Sequence, residues 1–561
     1  MRAFWEQLKR RKVIRVAIGY CALSWLLVQV AATLIPAFDI PIWTLRLLIL
    51  LIALGFPFAL MMSWSYVATA DGPRLESDGP FEPVAIIGVA TPIIEPTFTS
   101  PATTPSPASI AVLPLVNMSS DKEQDYFSDG LSEELLNLLA QVPGLHVAGR
   151  TSSFSFKDKH ATIAEIGCAL NVATVLEGSV RKSGERIRIT AQLIKSQDGY
   201  HLWSQTYDRE LTDIFAVQDE IAGAVVAALK LKLLPAQQPS HARHHVPSPA
   251  AHNHFLLGRQ FLNRATADGF QRAVVAYNKA VALEPDYAAA LAGLALAEAY
   301  ASDDTESDEA MLHGRQRAGE SAERAVKLDP ALGEAYTARA VLRFVFEQDW
   351  SGGDADFSQA LIFNPGDVMT HWQRSRLLAA LGRLPEALDA ARTATDLDPL
   401  SAQAWEILAR YQIALGDLAS ARQSLQLALD IAPEHGRAPV GMAMICLLES
   451  TPSSALDWYG RTENSTFRLM GEAMAFHDLG DAQRSQDSLR ALIDADAHHA
   501  AYQVASAFAW RGEYDAAFEW LQHAFEQRDA GLQYLKYDPA LRGLRHDARY
   551  TQLLQRVHLP A

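Results

Sequence analysis

The sequence predicts a multi-domain fold, in which an N-terminal transmembrane helical hairpin precedes an α/β domain and an all-α superhelix of repeated helix pairs. Three observations predict it. Two long uncharged segments lie near the N-terminus, strand and helix patterns alternate over residues 109–233, and one residue spacing recurs after residue 251. At 561 residues the chain exceeds what one hydrophobic core organises, so several domains are expected.

The recurring spacing places a small residue seven positions before an alanine, and a proline five positions after that alanine. The alanine–proline pairs are Ala280/Pro285, Ala325/Pro330, Ala360/Pro365, Ala394/Pro399 and Ala428/Pro433. The last four prolines are 35, 34 and 34 residues apart. Small residues let two helices approach closely, and proline ends the second helix of a pair. A period near 34 with these features is the signature of tetratricopeptide repeats, and it gives about seven helix pairs.

Aromatic residues at helical spacing in this array, such as Phe357, Trp405 and Trp520, are expected to pack in its core. Stacked repeats form a long concave groove, in which we expect partner proteins to bind. The sequence does not distinguish the groove residues that set specificity from ordinary surface, so no binding residue is assigned.

Two segments are long enough to cross a membrane. Val16–Phe38 contains 23 residues and Leu47–Val67 contains 21, all uncharged, and about 20 apolar residues suffice for one span. A cleaved signal peptide is the alternative, but it is usually one shorter segment. Six basic residues precede the first span and only Arg46 lies in the connecting turn, so the positive-inside rule places the N-terminus in the cytoplasm.

A third apolar run complicates this topology. Pro83–Ile94 has 12 residues, which is too short for a span, and an apolar strand or interfacial segment is the favoured interpretation. The soluble domains are therefore expected in the cytoplasm. If residues 83–94 contributed to a third span, these domains would be periplasmic.

Composition shifts suggest five regions. These are a membrane anchor (1–70), a Pro/Thr/Ser-rich linker (71–108), an α/β domain (109–233), a His/Pro-rich linker (234–250) and the repeat array (251–561). Within the α/β domain, strands are predicted at 109–115, 145–149, 174–180, 187–194 and 201–207, and helices at 130–139, 163–170 and 213–233. Asp129 or Ser132 is the expected cap of the first of these helices.

Several function classes are disfavoured. A net charge of −16 argues against a general nucleic-acid binder. The three cysteines show no metal-ligand spacing and no disulfide framework. No phosphate-binding loop, dinucleotide fingerprint, zinc-protease or nucleophile-elbow motif occurs, so we expect no enzyme activity, no cofactor and no catalytic or metal site.

Three clusters carry a possible chemistry beside a structural role. Acidic residues could bind a metal or act as acid and base, although a solvated helix N-terminus is the favoured interpretation. Linker histidines could bind a transition metal adventitiously. A basic patch could steer an acidic partner or simply be the exposed face of a hairpin. The three clusters are Asp121, Glu123, Asp125, Asp129, Glu133 and Glu134; His241, His244, His245, His252 and His254; and Arg181, Lys182, Arg186 and Arg188.

Several stretches resemble the bacterial TolB amino-terminal-like (FlgO-like) domain. They are Ser109–Met118, Tyr126–Leu135, Arg150–Phe154, Val175–Lys182 and His201–Glu210. In that family the domain follows membrane helices and precedes tetratricopeptide repeats, and Phe4–Arg11 and Leu54–Phe58 are similar to its N-terminal hairpin. The resemblance implies a bacterial inner-membrane protein, and many relatives carry a third full span before the α/β domain. Some relatives carry a cyclase or a winged-helix DNA-binding domain in front, and neither is expected here, because 15 residues precede the first span.

The sequence thus predicts a non-enzymatic, membrane-anchored scaffold that binds partner proteins through its repeats. The alternative is a signal-transduction sensor whose α/β domain binds a ligand or an envelope component. An enzyme would require a catalytic constellation that the motifs do not provide.

Overall fold

The computed structural model describes residues 66–69, 72–75, 105–119, 124–229, 247–302, 308–496 and 500–560. The chain divides into two compact units, Met1–Thr97 and Phe98–Ala561. In the first unit, β1 (Tyr66–Thr69) and β2 (Gly72–Leu75) form an antiparallel hairpin in which Tyr66 pairs with Leu75.

The predicted membrane segments fall largely outside the described residues. This applies to Val16–Phe38, to residues 47–65 of the second predicted span and to the run Pro83–Ile94. The last two residues predicted for the second span, Tyr66 and Val67, lie in β1, because they pair with Leu75 and Arg74 of β2. Among the helices of the described ranges, none is both long and apolar enough to cross a membrane.

The second unit begins with an α/β region built on a mixed sheet. Its strands are β3 (Ser109–Val112), β4 (Val116–Asn117), β5 (His146–Val147), β6 (Thr174–Ser183), β7 (Arg186–Lys195) and β8 (His201–Glu210). The strand order is β5-β3-β6-β7-β8, and β4 pairs with β6. β6, β7 and β8 are antiparallel, whereas β3 runs parallel to both β5 and β6. Gly184, at a φ of +58°, lies in the turn between β6 and β7, where the sequence predicted a turn.

Helices cover both faces of the buried strands. They are α1 (Asp125–Ala140), α2 (Arg150–Phe154), α3 (Ile163–Ala169) and α4 (Ile214–Ala228), the last preceded by a 3-10 turn at Leu211–Asp213. Ile110 and Val112 of β3 belong to the core that contains α1 and α4, whereas Ala111 belongs to the core that contains α3. Successive strand residues point to opposite faces, so β3 is buried along its whole length.

The start of α1 differs from the sequence prediction. The helix begins at Asp125 rather than at Gly130, because Phe127 must lie in the core one turn earlier. Neither expected cap acts as one: Asp129 lies inside the helix, and the buried hydroxyl of Ser132 accepts a hydrogen bond from the backbone N–H of Leu115 at 2.8 Å.

The rest of the chain is helical. Eight antiparallel helix pairs follow one another in the described residues: α5/α6 (Pro249–Leu262, Ala267–Leu283), α7/α8 (Ala288–Ser302, Asp308–Leu328), α9/α10 (Gly333–Val341, Trp350–Phe363), α11/α12 (Val368–Ala380, Leu384–Leu397), α13/α14 (Ala402–Leu415, Leu418–Ile431), α15/α16 (Ala438–Leu448, Pro452–Tyr459), α17/α18 (Ser465–Asp478, Ala482–Asp496) and α19/α20 (Ala501–Trp510, Tyr514–Glu526). A π-helical turn, Leu342–Glu347, extends α9.

The repeat period undercounts these pairs by one. The sixth and seventh pairs, between Pro433 and Tyr514, lack the alanine–proline ending, and α16 is only eight residues long. The small residues of the repeat pattern are at the helix contacts, as predicted. Ala273, Ala318, Ala387 and Ala421 are completely buried, as is Phe357.

The chain ends in a C-terminal segment, defined here as residues 529–560, which folds back onto earlier repeats. It contains 3-10 helices at Ala530–Tyr534 and Pro539–Leu544, followed by α21 (Ala548–Arg556). Leu535 and Leu541 of this segment share a hydrophobic core with Leu291 of α7 and Leu377 of α11. The indole N–H of Trp350 donates a hydrogen bond of 2.9 Å to the carbonyl of Val557. The C-terminal segment therefore joins the end of the array to its second, third and fourth pairs.

The α/β region packs directly on the repeats. The backbone N–H of Gly149 donates to the carbonyl of Leu397 at 2.6 Å, and the N–H of Ser152 donates to the carboxylate of Asp398 at 2.7 Å. In return, the hydroxyl of Ser152 accepts from the N–H of Leu400 at 2.9 Å. The turn after α12 is thus bonded to the start of α2.

The α/β region contacts the repeats at a second place, where charged side chains neutralise one another. The guanidinium of Arg259 on α5 donates to Glu334 at 3.0 Å and lies 3.9 Å from Glu133 of α1. Glu133 also accepts from Arg150 at 2.8 Å and from Asn263 at 3.1 Å. Burial raises the pKa of Glu334, and the positive charge of Arg259 counteracts this effect. The two regions form one packed unit.

The close packing around Gly471 predicts that a larger side chain at this position destabilises the protein. A Cβ at Gly471 of α17 would lie 2.2 Å from the ring of Tyr459, which is fully buried, so Gly471→Ala forces the ring or a helix to move. We expect a loss of about 1–3 kcal/mol, the usual cost of overpacking, as a lower urea-unfolding midpoint. Gly436→Ala is the matched control, because a Cβ there meets no atom within 4 Å. Equal stability of the two variants would contradict this packing.

Candidate ligand site inside the repeat array

The C-terminal segment lies across the first helices of the fourth and fifth pairs. Gln533 accepts a hydrogen bond from Arg376 of α11 at 2.9 Å, and Lys536 donates to the carbonyl of Leu381 at 3.4 Å. The ring of Tyr537 meets the ring of Tyr411 on α13 edge-on, with centroids 5.8 Å apart. The segment thereby occupies part of the interior that the sequence analysis expected to be an open groove.

A buried ion pair on α13 forms one wall of the site. Glu406 and Arg410 are one helical turn apart, and both carboxylate oxygens of Glu406 accept from the same guanidinium nitrogen at 2.7 Å. Burial alone would raise the pKa of Glu406, but the guanidinium groups of Arg410 and Arg437 outweigh it and hold that pKa below its ordinary value. Glu406 is therefore ionised at neutral pH.

A second guanidinium on this wall, that of Arg437, has no carboxylate within ion-pair distance in the described residues. Arg437, at the start of α15, stacks on Phe467 with 4.2 Å between the guanidinium carbon and the ring centroid. Its one hydrogen bond to the described part of the chain is 3.4 Å long and ends at the hydroxyl of Tyr534. Burial alone would raise the pKa of Tyr534, but Arg410, Arg437 and Arg376 lower it, which indicates a positive potential at its hydroxyl.

The opposite wall carries an acid held by hydrogen bonds. The hydroxyl of Tyr502 donates to Asp538 at 2.9 Å, and the backbone N–H of Ala540 donates to the same carboxyl group at 2.8 Å. Burial raises the pKa of Asp538. Two arginines, Arg410 and Arg437, thus line the site together with two carboxyl groups, Glu406 and Asp538.

A cavity of about 130 Å³ lies between these walls. One side is polar and includes Arg410, Arg437, Tyr534, Tyr537 and Gln503; the other is apolar and includes Ile413, Leu425, Met444, Phe467 and Met470. Tyr537 is only 2% exposed, yet its hydroxyl finds no hydrogen-bond partner in the described part of the chain, and neither does the buried amide oxygen of Gln503. Such groups are rare in folded proteins and mark places where a ligand or water completes the bonding.

The acidic cluster predicted from the sequence is dispersed over structural contacts. Asp125 accepts from Asn117 at 2.8 Å, and Asp129 accepts from Lys157 at 2.7 Å. Glu133 lies in the contact with Arg150 and Asn263 described above, and Glu134 accepts from Gln218. Asp121 and Glu123 lie outside the described residues.

The histidines are not brought together. His241, His244 and His245 lie outside the described residues. His252 is buried, 3.3 Å from the hydroxyl of Tyr287 and 3.4 Å from Glu134. In the ranges that the structure describes, no group of three or more His, Cys, Asp or Glu side chains could hold a metal ion.

The basic patch has local partners. Arg186 and Arg188 on β7 both donate to Asp208 of β8, at 2.7 and 2.5 Å, and Arg181 donates to the carbonyl of Met118 at 3.3 Å. The ammonium of Lys182 lies 5.1 Å from the centroid of the Phe127 ring. These contacts favour the structural interpretation of an exposed hairpin face.

The sequence analysis missed the residues of the cavity. Arg410 lies within a regular repeat and Arg437 directly precedes α15, and at both positions a charged residue is ordinarily part of the surface. The available signal was the stretch from Tyr534 to Pro539, in which aromatic and acidic residues follow the last helix pair without the repeat spacing.

Substitution of the buried acid tests the charge balance. We expect Glu406→Gln to destabilise the protein by about 3 kcal/mol at pH 7, because Arg410 loses its partner. The pKa of Glu406 is lower in the folded protein than in the unfolded chain, where it is about 4.3. The ionised carboxylate therefore stabilises the fold fully above about pH 4.3, and this contribution is lost as the pH falls through the pKa of the folded state. The difference between wild type and variant, measured by urea unfolding, should therefore shrink below about pH 4.

The matched control is Glu472→Gln, whose partner Arg468 is 3.5 Å away in a half-exposed pair four residues apart. We expect a loss below about 1 kcal/mol for this variant. Equal losses for the two variants, or a difference independent of pH, would contradict the assignment of Glu406 as a buried ionised group.

Comparison with known proteins supports the repeat assignment. A tetratricopeptide repeat family model matches residues 373–435, which include most of the fourth and fifth helix pairs. Over 77 residues the chain is 36% identical to tetratricopeptide repeat protein 33 of Mus musculus, which is 14% of this chain and 29% of that protein. The array therefore contains tetratricopeptide repeats at residues 373–435.

A longer match joins the chain to a bacterial protein. Over 196 residues it is 41% identical to a protein of Rhizobium meliloti (strain 1021) named "Putative adenylate cyclase 3", covering 35% of this chain and 33% of that protein. The chain thus spans about a third of the length of the curated relatives it matches.

Solved structures are similar only in part. That of Pseudomonas aeruginosa PilF is 18% identical over 33% of this chain and 85% of its own, with a TM-score of 0.29. The structure of YrrB, described as a TPR protein with an unusual peptide-binding site, is 22% identical over 35% of this chain and 91% of its own, with a TM-score of 0.25. Similarity at this level carries no functional argument.

Proposed function

We propose that the protein is a non-enzymatic, membrane-anchored scaffold that binds partner proteins through its tetratricopeptide repeats. The observation that carries the proposal is the array itself, in which eight stacked helix pairs contain a match to the tetratricopeptide family. Arrays of this kind bind other proteins on extended preformed surfaces, which costs little ordering on the receptor side. Tethering such a surface to a membrane raises the local concentration of its partner there.

The surface open to a partner differs from the one expected. Because the C-terminal segment occupies the interior beside Arg376 and Tyr411, a partner that enters there must share or displace it. The outer helices carry no such covering in the described chain. Val275, Leu312 and Ile362, on the second helices of the first three pairs, are 57, 61 and 70% exposed.

The membrane anchor remains a proposal from the sequence. Two spans predicted at 16–38 and 47–67 would leave both soluble regions on the cytoplasmic side of a bacterial inner membrane. A contribution of residues 83–94 to a third span would place them in the periplasm. We likewise propose that residues 109–233 form an α/β domain of the TolB amino-terminal-like type. Residues 251–561 would form the repeat domain.

The second candidate is a sensor in which a ligand of the α/β region alters the repeats. The bonded contact of Ser152 with Asp398 and Leu400 favours it, since a shift of α2 would reach the turn after α12 directly. The name of the Rhizobium meliloti protein suggests a link to cyclic-nucleotide signalling, as in cyclase-associated relatives of the resembled family, but the match covers only a third of that protein.

Photocrosslinking in cells of the source organism separates the two candidates. A photoreactive phenylalanine analogue replaces either Ile362 on α10 or Tyr200 beside β8, which are equally exposed at 70%. If the protein is a scaffold, we expect protein adducts from position 362, recovered in the membrane fraction, and few from position 200. Adducts from position 200 alone would favour the sensor. Absence of adducts from position 362 and from matching probes at Val275 and Leu312 would contradict the scaffold.

A further inference from the structure

We propose that the cavity between the C-terminal segment and the fifth to eighth helix pairs is a binding site for a monocarboxylate with a small apolar body. The proposal concerns the groups that line this cavity and does not rest on the scaffold function. Its ligand class follows from the groups that line the cavity, from their charge and from its size.

The polar side of the cavity includes two donor groups that lack a good acceptor, the guanidinium of Arg437 and the hydroxyl of Tyr537. The guanidinium of Arg437 makes one long hydrogen bond, to Tyr534, and no ion pair within the described part of the chain. The hydroxyl of Tyr537 is buried with no partner there. A carboxylate accepts from a guanidinium and a hydroxyl together, and a planar guanidinium matches its two oxygens.

The charge of the region selects a monoanion. Arg410 is already paired with Glu406 at 2.7 Å, which leaves Arg437 as the charge in the lining that a ligand would compensate. Asp538 offsets part of this charge on the opposite wall and disfavours a dianion such as phosphate. The lowered pKa of Tyr534 is the expected signature of the positive field that remains.

The apolar side of the cavity determines the polarity and the size of the uncharged part of the ligand. Met444, Met470 and Phe467 line it beside Ile413 and Leu425, and this surface would remain poorly hydrated. The volume of about 130 Å³ is close to that of an engineered cavity of about 150 Å³ that binds benzene. A ligand of the size of benzoate fits this description with its carboxylate directed to Arg437.

The carboxylate has two possible sources, a free small acid or the C-terminus of a partner chain. Both present the same chemistry to Arg437 and Tyr537. We therefore use benzoate with benzamide as its neutral counterpart, and the peptide Ala-Ala-Phe with its C-terminal amide. Binding of each to the purified full chain is measured by isothermal titration calorimetry.

Binding of either acid, with the corresponding amide weaker by about tenfold or more, is the expected result, since the amide lacks the charge that Arg437 pairs. Benzoate binding identifies a free acid, and binding of the peptide acid alone identifies a chain terminus. Equal binding of acid and amide, or no binding of any of the four probes, would overturn the proposal.

Two variants locate the binding groups. Arg437→Gln should weaken binding of the acid by about tenfold or more. Arg461→Gln is its matched control, because Arg461 also stacks on an aromatic ring at 4.2 Å, that of Trp458, but lies outside the cavity. Equal loss of affinity in both variants would contradict the site.

The Tyr537→Phe variant tests ligand binding without lowering the stability of the fold. The hydroxyl has no partner in the described chain, so its removal should leave the unfolding midpoint unchanged or higher. The same substitution should weaken acid binding by about threefold or more. Unchanged affinity in Tyr537→Phe would show that the hydroxyl does not contact the ligand and would overturn the geometry proposed here.

Discussion

The packing of the C-terminal segment against the interior of the array is the contact on which the rest of the second unit depends. An open tetratricopeptide array makes contacts only between neighbouring repeats, so its stability is a sum of local terms. Here Trp350 bonds to Val557, and Arg376 bonds to Gln533, across 207 and 157 residues of chain. These long-range contacts couple the early and late repeats, and they create the cavity by placing Tyr534 and Tyr537 opposite α13.

The second unit places charged side chains inside the protein at two sites, and the charges are compensated differently at each site. Between the α/β region and the repeats, Arg259 lies between Glu133 and Glu334, so the charges compensate each other inside the protein. In the cavity, Glu406 compensates Arg410 but Arg437 has no carboxylate partner in the described chain. Arg437 is half-buried, and taking a guanidinium out of water without an anion is unfavourable. This contrast is the physical reason to regard the first cluster as structural and the second as a ligand site.

Local features of the fold could be predicted from the sequence. The alanine–proline spacing located the repeats because close helix contact requires small side chains, and alternating polarity located the hairpin of β6 and β7. The predicted start of α1 at Gly130 is wrong, because the core requires Phe127 one turn earlier in the helix. The period missed one helix pair because the sixth and seventh pairs end without proline.

The candidate site could not be predicted in the same way. Arg437 and Tyr534 are 97 residues apart, and no local pattern reports that they meet. Their proximity depends on the path of a segment that has no repeat spacing of its own. A charged residue in a regular repeat is ordinarily solvated, so the sequence offered no reason to single out Arg410 or Arg437.

Hydrogen exchange of the C-terminal segment in the full chain tests this account most directly. The backbone N–H groups of Tyr537 and Asp538 both donate to the carbonyl of Tyr534, at 3.0 and 2.9 Å, beneath α11 and α13. If the segment holds the array together, these amides exchange as slowly as those of α13, because both open in the same cooperative event. Exchange as fast as that of the exposed turn at Gly184 would show that the segment does not hold the array together.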